Sequence, residues 1–337
     1  MNKKALVIIG NEKIFKAGND FYCNHPDTSS LPDGLSDYNQ VQYIARSSDE
    51  KKGEKLNLKN INSASNIFKF IYFILKTLKS KNFNYLLNSI TPYTFFAFLI
   101  LFLFRKRIFV YLRSSGHEEY KHILGSWSIW IYHIMYLIVT TGSNVIVCQE
   151  RLFKKKCHLV FPSKINSQWL TNQANVSLRE IKLLYVGRMN PEKGIFEFLK
   201  MFENMDSNIK LSIVSKLQNS KINNKNIKII DLVFEPLSLI KIYDEHNIVI
   251  LPSFTEGHPQ VVDEALARKR PVIIFEDIDH IVKDKIGIFV AKRNISSFLQ
   301  TTKYIMQNYH KIQENIGNNK LPTRENFLKE MSNILSF

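Results

Sequence analysis

The stretch Ser253-Phe-Thr-Glu-Gly-His-Pro-Gln-Val-Val-Asp-Glu-Ala-Leu-Ala267 decides how this chain is read. It follows Ile248–Leu251, a short β-branched run that suits a buried strand, and it leads into a helical segment, Pro259–Arg268. Strand, glycine-containing loop and helix form the repeating unit of a parallel α/β sheet, where ligands bind beyond the carboxyl ends of the strands. Gly257 removes a side chain where a ligand would approach the backbone. Pro259 suits a first helical turn, whose free N–H groups face an anion. Glu256 and Glu264 put one carboxylate on the loop and one inside the helix. Two glutamates at a fixed spacing are, taken alone, more often plain surface acids, so the reading rests on their context.

That context lies upstream, in Leu184-Tyr-Val-Gly-Arg-Met-Asn-Pro-Glu-Lys-Gly194. A strand, Ile181–Val186, ends beside Gly187, and two cations follow, Arg188 and Lys193. A diphosphate needs close cationic donors, and arginine engages its oxygens in a bidentate way. The bland alternative is a pair of solvated loop cations. Around these segments strands and helices alternate: Gly194–Glu203, Leu237–Glu245 and Ile295–Gln307 read as helices, and Lys210–Val214, Ile227–Ile230, Val272–Phe275 and Ile286–Val290 as strands. The first half repeats the rhythm with strands at Ala5–Ile9, Val41–Ala45, Tyr85–Leu87, Ile108–Leu112 and Val145–Cys148. Its helices are Ile67–Lys79, the apolar run Thr94–Phe104, and Ser128–Thr140. Arg113–Gly116 reads as a loop, and the first strand is expected to end at a turn on Gly10.

The alternation predicts an α/β protein of two Rossmann-like domains with parallel sheets. Residues 1–165 form the first, 166–320 the second, and 321–337 a C-terminal helix that packs back on the first. Apolar residues make up 45% of the 337, enough for two cores, and 23% are charged, which excludes a disordered chain. The net charge of +16 implies an acidic partner without choosing one. Three cysteines without a C-x-x-C pair argue for reduced thiols in a cytoplasmic protein and against a structural zinc site. Thr94–Phe104 is far shorter than the roughly 20 apolar residues that span a bilayer, and it stops at Arg105-Lys-Arg107.

The two segments, "Tyr185-Val-Gly-Arg-Met-Asn-Pro-Glu-Lys-Gly194" and the one running from Ser253 to Ile273, resemble glycosyltransferase family 4, whose members have the GT-B fold. In that fold the two parallel sheets face each other across a cleft. The resemblance is firm over Lys182–Val290 and perceptible in Gly34–Asp49 and Val110–Gly125. It implies a retaining transferase that moves a sugar from a nucleoside diphosphate to an acceptor, with the N-terminal domain on the acceptor side. By the same resemblance Arg188 and Lys193 neutralise the donor diphosphate, Glu264 binds the ribose hydroxyls, and Glu256 lies beside the donor sugar. Gly257, His258, Pro259, Gln260 and Val261 form the loop that holds sugar and phosphate, and His117 contacts the sugar.

Two places depart from the family pattern: Gly10-Asn-Glu-Lys13 lacks a Gly-Gly turn, and Val214-Ser-Lys-Leu-Gln218 lacks glycine altogether. Gly10 and Gly18-Asn-Asp20 remain candidates for the acceptor loop. Asp277-Ile-Asp279 spells D-x-D, but a lone D-x-D is weak, and no metal or other cofactor is expected because the cations supply the charge compensation. The expected partners are a nucleotide-sugar donor and a saccharide acceptor, lipid-linked in bacterial surface polysaccharide synthesis such as capsule or lipopolysaccharide, with no nucleic acid. Ile67–Lys79 interleaves aromatics with Lys69, Lys76 and Lys79, and suggests a peripheral contact with the anionic inner face of the cytoplasmic membrane. The rivals are a non-catalytic partner subunit of this fold and a sugar-nucleotide epimerase.

Overall fold

The computed structural model describes residues 4–23, 26–51, 53–79, 83–174, 176–205, 208–216, 224–233 and 235–336. It divides into two compact units, Met1–Pro162 with Glu325–Phe337, and Ser163–Arg324.

In the second unit six parallel strands lie in the order Ile227–Ile230, Ile209–Val214, Ile181–Val186, Ile248–Leu251, Val272–Phe275, Ile288–Ala291. Counted along the chain this is third, second, first, fourth, fifth, sixth, the doubly wound dinucleotide-binding order. The order reverses between Ile181–Val186 and Ile248–Leu251, so the loops after those two strands diverge and leave a crevice at their carboxyl ends. Both strands are nearly all apolar because helices cover the sheet on both faces. Phe198 and Phe202 of helix Ile195–Glu203, Tyr243 of Pro236–Asp244, and Phe298 and Ile305 of Ile295–Gln307 join the sheet in one core.

The first unit repeats the order. Its parallel strands run Ile61–Ala64, Gln40–Ser48, Ala5–Ala17, Phe83–Asn88, Ile108–Leu112, Asn144–Val147, His158–Leu159. Successive side chains of the first strand point to opposite faces. Leu6 and Ile8 enter one core with Phe327, Leu328, Met331 and Leu335 of the C-terminal helix Arg324–Ser336, and Val7 and Ile9 enter another. That second core also takes Phe70 and Ile74 of helix Ile67–Thr77, Ala97, Phe98 and Leu101 of Pro92–Leu103, and Tyr132, Met135 and Val139 of Ser128–Thr141.

Two expectations are overturned here. The first strand does not end at Gly10 but continues to Ala17, where a turn at Gly18 folds it back into an antiparallel ribbon with Asp20–Cys23 and then Glu54–Leu56. Gly10 stays in the strand, and what its missing side chain makes room for is the Tyr43 phenol, whose oxygen lies 3.0 Å from where a Cβ would stand. Gly116 is likewise not in a loop: it begins an additional helix, Gly116–Leu124, which packs on Ser128–Thr141. The three cysteines form no disulfide; Cys23 and Cys148 are buried and Cys157 is partly so.

Candidate functional site

The switch point of the second unit gathers most of the candidate residues. After Val186 the chain passes Gly187, Arg188, Met189 and Asn190 into a short 3-10 turn, Pro191–Lys193. It then reaches Gly194, whose φ is +61° and which has the Pro252 carbonyl oxygen 2.0 Å from where a Cβ would stand. Only glycine permits both that backbone and that approach. The Phe254 N–H donates to the Glu192 carbonyl at 3.1 Å, a second stitch between the same two loops.

Lys193 and Glu256 therefore meet across the switch point. Lys193 Nζ donates to Glu256 Oε1 at 2.8 Å, and the Ser253 hydroxyl donates to the same oxygen at 2.6 Å. The glutamate side chain is only 9% exposed and the lysine 21%, so the pair is largely shielded from water, where charge interactions are stronger than in bulk solvent. His280 Nε2 donates to the Glu256 carbonyl at 3.1 Å and fixes the loop from the other side. Arg188 differs: its side chain is 59% exposed and lies 3.9 Å from Glu192, which leaves it in the solvent. The Tyr185 hydroxyl holds the Arg188 carbonyl at 2.6 Å, so the backbone at that position is fixed even though the guanidinium is not.

Helix Gln260–Ala267 starts at Pro259, its N-cap, and is buried from Val262 onward. Glu264 is buried, and its Oε2 accepts from the Tyr243 hydroxyl at 2.8 Å. Burial and the Glu264 charge push the Tyr243 phenol well above its usual pKa, so it stays a donor. Gln260 Oε1 is buried and has no hydrogen-bond partner among the described residues. Leaving an acceptor so costs about 1–3 kcal/mol, and a ligand hydroxyl would remove that cost. His258 donates from Nε2 to Asp263 Oδ2 at 2.7 Å, and Lys285 donates to Asp263 Oδ1 at 2.5 Å. Burial alone would raise the Asp263 pKa, but the His258 hydrogen bond and the Lys285 charge outweigh it and hold the carboxyl below its usual range. Gly257 and Pro259 lie in the loop, whereas Gln260 and Val261, expected there, open the helix that Pro259 caps.

His117 belongs to the first unit. Its Nε2 shares a 3.1 Å hydrogen bond with His133 Nδ1, and its ring meets those of Tyr132 and Tyr136 with centroids 4.7 and 5.2 Å apart. Burial, and then His133, lower its pKa and favour the neutral imidazole.

Asp277 and Asp279 lie in the 3-10 segment Glu276–Ile281, and Asp277 accepts from Arg293 Nη2 at 2.6 Å. Arg293 also donates to the Pro252 carbonyl at 3.0 Å and stacks on Phe254 and Phe275, so Asp277 orders a cation that braces the Glu256 loop. Of the Val214–Gln218 turn, Leu217 and Gln218 lie outside the described residues. The roles of Ser253, Asp263, Lys285, His280 and Arg293 were not read from the sequence. Ser253 and Asp263 stood inside the quoted segment, but nothing local marked their partners.

Residues 180–308 match the model of the family described as "Glycosyl transferases group 1". The second unit carries a group 1 glycosyl transferase domain. Over 158 residues, 42% of this chain, the sequence is 28% identical to the capsular polysaccharide biosynthesis glycosyltransferase CapM of Staphylococcus aureus. The chain spans about half the length, or less, of the curated relatives it matches, 40% for CapM. Solved structures match over nearly the whole chain. Sucrose-phosphate synthase from Thermosynechococcus elongatus superposes with a TM-score of 0.72 at 13% identity, covering 99% of this chain and 98% of that one. Anabaena HepE in complex with UDP-glucose gives 0.72 at 8% identity, covering 98% and 99%. At such identities the likeness establishes the fold, which is GT-B. Among the described residues no helix is long and apolar enough to cross a membrane.

Proposed function

We propose that this chain is a retaining glycosyltransferase that takes a sugar from a nucleoside diphosphate and passes it to a saccharide acceptor in bacterial surface polysaccharide synthesis. The observation that carries the reading is the Lys193–Glu256 pair at the switch point, with Gln260, whose side-chain oxygen is buried, and the buried Glu264 on the helix that follows the Glu256 loop. In this reading Lys193 turns from Glu256 to the donor diphosphate, and Arg188 closes over it from solvent. Glu264, held by Tyr243, takes the ribose hydroxyls, and Glu256 and Gln260 take the sugar. His117 contacts the sugar from the acceptor-side domain, and His258, Gly257 and Pro259 of the loop, with Val261 in the first turn of the helix, face the phosphates. Charge neutralisation makes the diphosphate a good leaving group, and the acceptor attacks on the face it vacates, losing its proton to a phosphate oxygen. No resident metal is required. HepE, whose structure holds UDP-glucose, makes UDP-sugars the first donors to try, and CapM makes capsule-type acceptors the first acceptors.

We also propose that the protein works peripherally on the inner face of the cytoplasmic membrane, where a lipid-linked acceptor is presented. Helices Ile67–Thr77, Pro92–Leu103 and Ser128–Thr141 each pack one face on the sheet, yet leave Phe68, Tyr72, Phe102, Leu103, Trp130 and Ile134 exposed. Such aromatics enter the headgroup boundary while lysines stay with the phosphates.

The test is transfer from a panel of nucleotide sugars, with the anomeric configuration of the product read by NMR. Retention from a UDP-type donor is expected. Inversion, or donor turnover that needs no acceptor, would replace this reading with a different reaction.

A further inference from the structure

Asp263 stands in the first turn of helix Gln260–Ala267 with its side chain only 3% exposed, and two cationic side chains reach it from different parts of the chain. His258, five positions earlier, donates from Nε2 to one carboxylate oxygen at 2.7 Å, and Lys285 donates from Nζ to the other at 2.5 Å. The lysine comes from the turn that leads into strand Ile288–Ala291, and its side chain is 18% exposed. That turn is fixed beside the lysine. The Ile286 N–H donates to Asn319 Oδ1, and Asn319 Nδ2 donates back to the Ile286 carbonyl, each at 2.8 Å. Gly287 has a φ of +97°, and the Ile316 side chain fills the place where a Cβ would stand, so glycine alone closes the turn onto helix Tyr309–Ile316.

Stability alone does not call for an ion pair here, since two apolar side chains of similar volume often hold such elements together at least as well. The position also works against the site. Asp263 is within hydrogen-bond reach of His258, in the loop that the transferase reading gives to the phosphates, and an uncompensated carboxylate there would repel a diphosphate. Burial opposes the charge on Asp263, but the His258 hydrogen bond and the Lys285 charge outweigh it, so the carboxyl is ionised. We propose that Asp263 and Lys285 are positioning residues of the donor site that act as a unit: Asp263 holds the His258 side chain in place from the helix, and Lys285 cancels the charge of the acid so that the loop still accepts a diphosphate. The assignment rests on the donor reading of the second unit and deepens it, because both residues act through His258 and the charge of the loop rather than by contact with the donor.

The experiment uses the full chain, with UDP and inorganic pyrophosphate as charged probes and uridine, followed by ligand-observed NMR, as the uncharged one. Lys285→Met removes the cation that offsets Asp263 and should weaken UDP and pyrophosphate about tenfold. Asp263→Asn keeps an acceptor for His258 and should bind both at least as tightly as the parent. The double variant Asp263→Asn/Lys285→Met should return to about the affinity of the parent, and uridine should be unchanged throughout. Opposite signs for the single variants, with recovery in the double, mark an effect of charge, whereas a loosened loop would weaken all three probes in every variant. The assignment fails if Lys285→Met binds the charged probes as the parent does, if uridine falls in step with UDP, or if the double variant is no better than Lys285→Met. If Lys285→Met does not fold, Asp263→Asn decides: equal or tighter UDP binding supports the assignment, and weaker binding overturns it. A parent that binds pyrophosphate but no nucleoside diphosphate, with the variants ordered as above, leaves the pair standing and removes the donor reading. A parent that binds UDP with all variants alike does the reverse, and a parent that binds neither charged probe overturns both.

Discussion

Both sheets follow the same strand order through their first six parallel strands, yet the helices laid on them differ on their outer sides. In the second unit, helix Gln260–Ala267 is buried from Val262 to Ala267, and its acids face partners: Tyr243 for Glu264, His258 and Lys285 for Asp263. In the first unit, helix Ser128–Thr141 buries Tyr132, Met135 and Val139 and turns Trp130, Ile131 and Ile134 outward. One scaffold thus supports a polar, tightly bonded site in one unit and an apolar outer surface in the other. The difference lies not in topology but in which helix faces carry apolar side chains.

The sharpest way to break the comparison is to remove a cation that holds the second unit together. Arg268 is buried and bonds Asp244 in a bidentate way, with further hydrogen bonds to the carbonyls of Trp169, Thr171 and Asn172. Arg268→Ala removes the shorter of the two arginine contacts of Asp244, Arg270 remaining at 3.4 Å, and takes a buried donor from three carbonyls, so unfolding monitored by urea should show a loss of about 3 kcal/mol confined to this unit. A variant as stable as the parent would mean that the ion pair is not formed in solution.

Next come the cations assigned to chemistry. Lys193→Ala and Arg188→Ala should each cut turnover at least a hundredfold without lowering the melting temperature, as loss of an oxyanion contact worth about 2.7–4 kcal/mol would. Near-normal activity in either folded variant removes that residue from the mechanism. The exposed position of Arg188 makes it the more telling of the two, because a solvated loop arginine would show no effect.

The first unit is tested with vesicles. Reversing Lys69, Lys76 and Lys79 to Glu should release the protein from anionic vesicles, each basic residue contributing about 1 kcal/mol. Transfer to a soluble acceptor analogue should be unchanged. Wild-type protein that ignores anionic vesicles at low salt would show that the exposed apolar faces meet something other than a bilayer. The smallest expected effect is that of chelation: activity should survive EDTA, and Asp277→Ala should act, if at all, by loosening Arg293 from the Pro252 loop. Metal-reversible loss of activity would overturn that account.

How far the sequence could be read differs between the units for the same physical reason. Ile181–Val186, Ile227–Ile230, Ile248–Leu251, Val272–Phe275 and Ile108–Leu112 stand in the structure with the bounds expected of them. Strands covered on both faces are short, continuous, β-branched runs, and Ile227–Ile230 keeps that composition at the sheet edge although it is only partly buried. The extension of the first strand from Asn11 to Ala17 has no such run, since only Ile14 in it is fully buried, and it pairs through a register shift between Ile9 and Lys13. Helix Gly116–Leu124 opens with Gly, His and two Glu, and its apolar residues, Tyr120, Ile123 and Leu124, come only in its second half. Within the site, residue types were legible but partners were not. Lys193 finds Glu256, 63 positions away, only because Gly194 lets one loop reach the other. Arg188, Arg268 and Arg293 look alike on paper; one is exposed, one is buried in the core, and one braces a loop.

The central claim is that the second unit holds a nucleoside diphosphate between Lys193 and Glu264, with Glu256 facing the sugar instead. Titration calorimetry with UDP on the parent, Glu264→Ala and Glu256→Ala tests it most directly. The account predicts that Glu264→Ala weakens UDP at least tenfold, whereas Glu256→Ala binds UDP nearly as the parent does yet transfers sugar slowly. Equal loss of UDP affinity in both variants, or no UDP binding by the parent when other nucleoside diphosphates also fail, would contradict it.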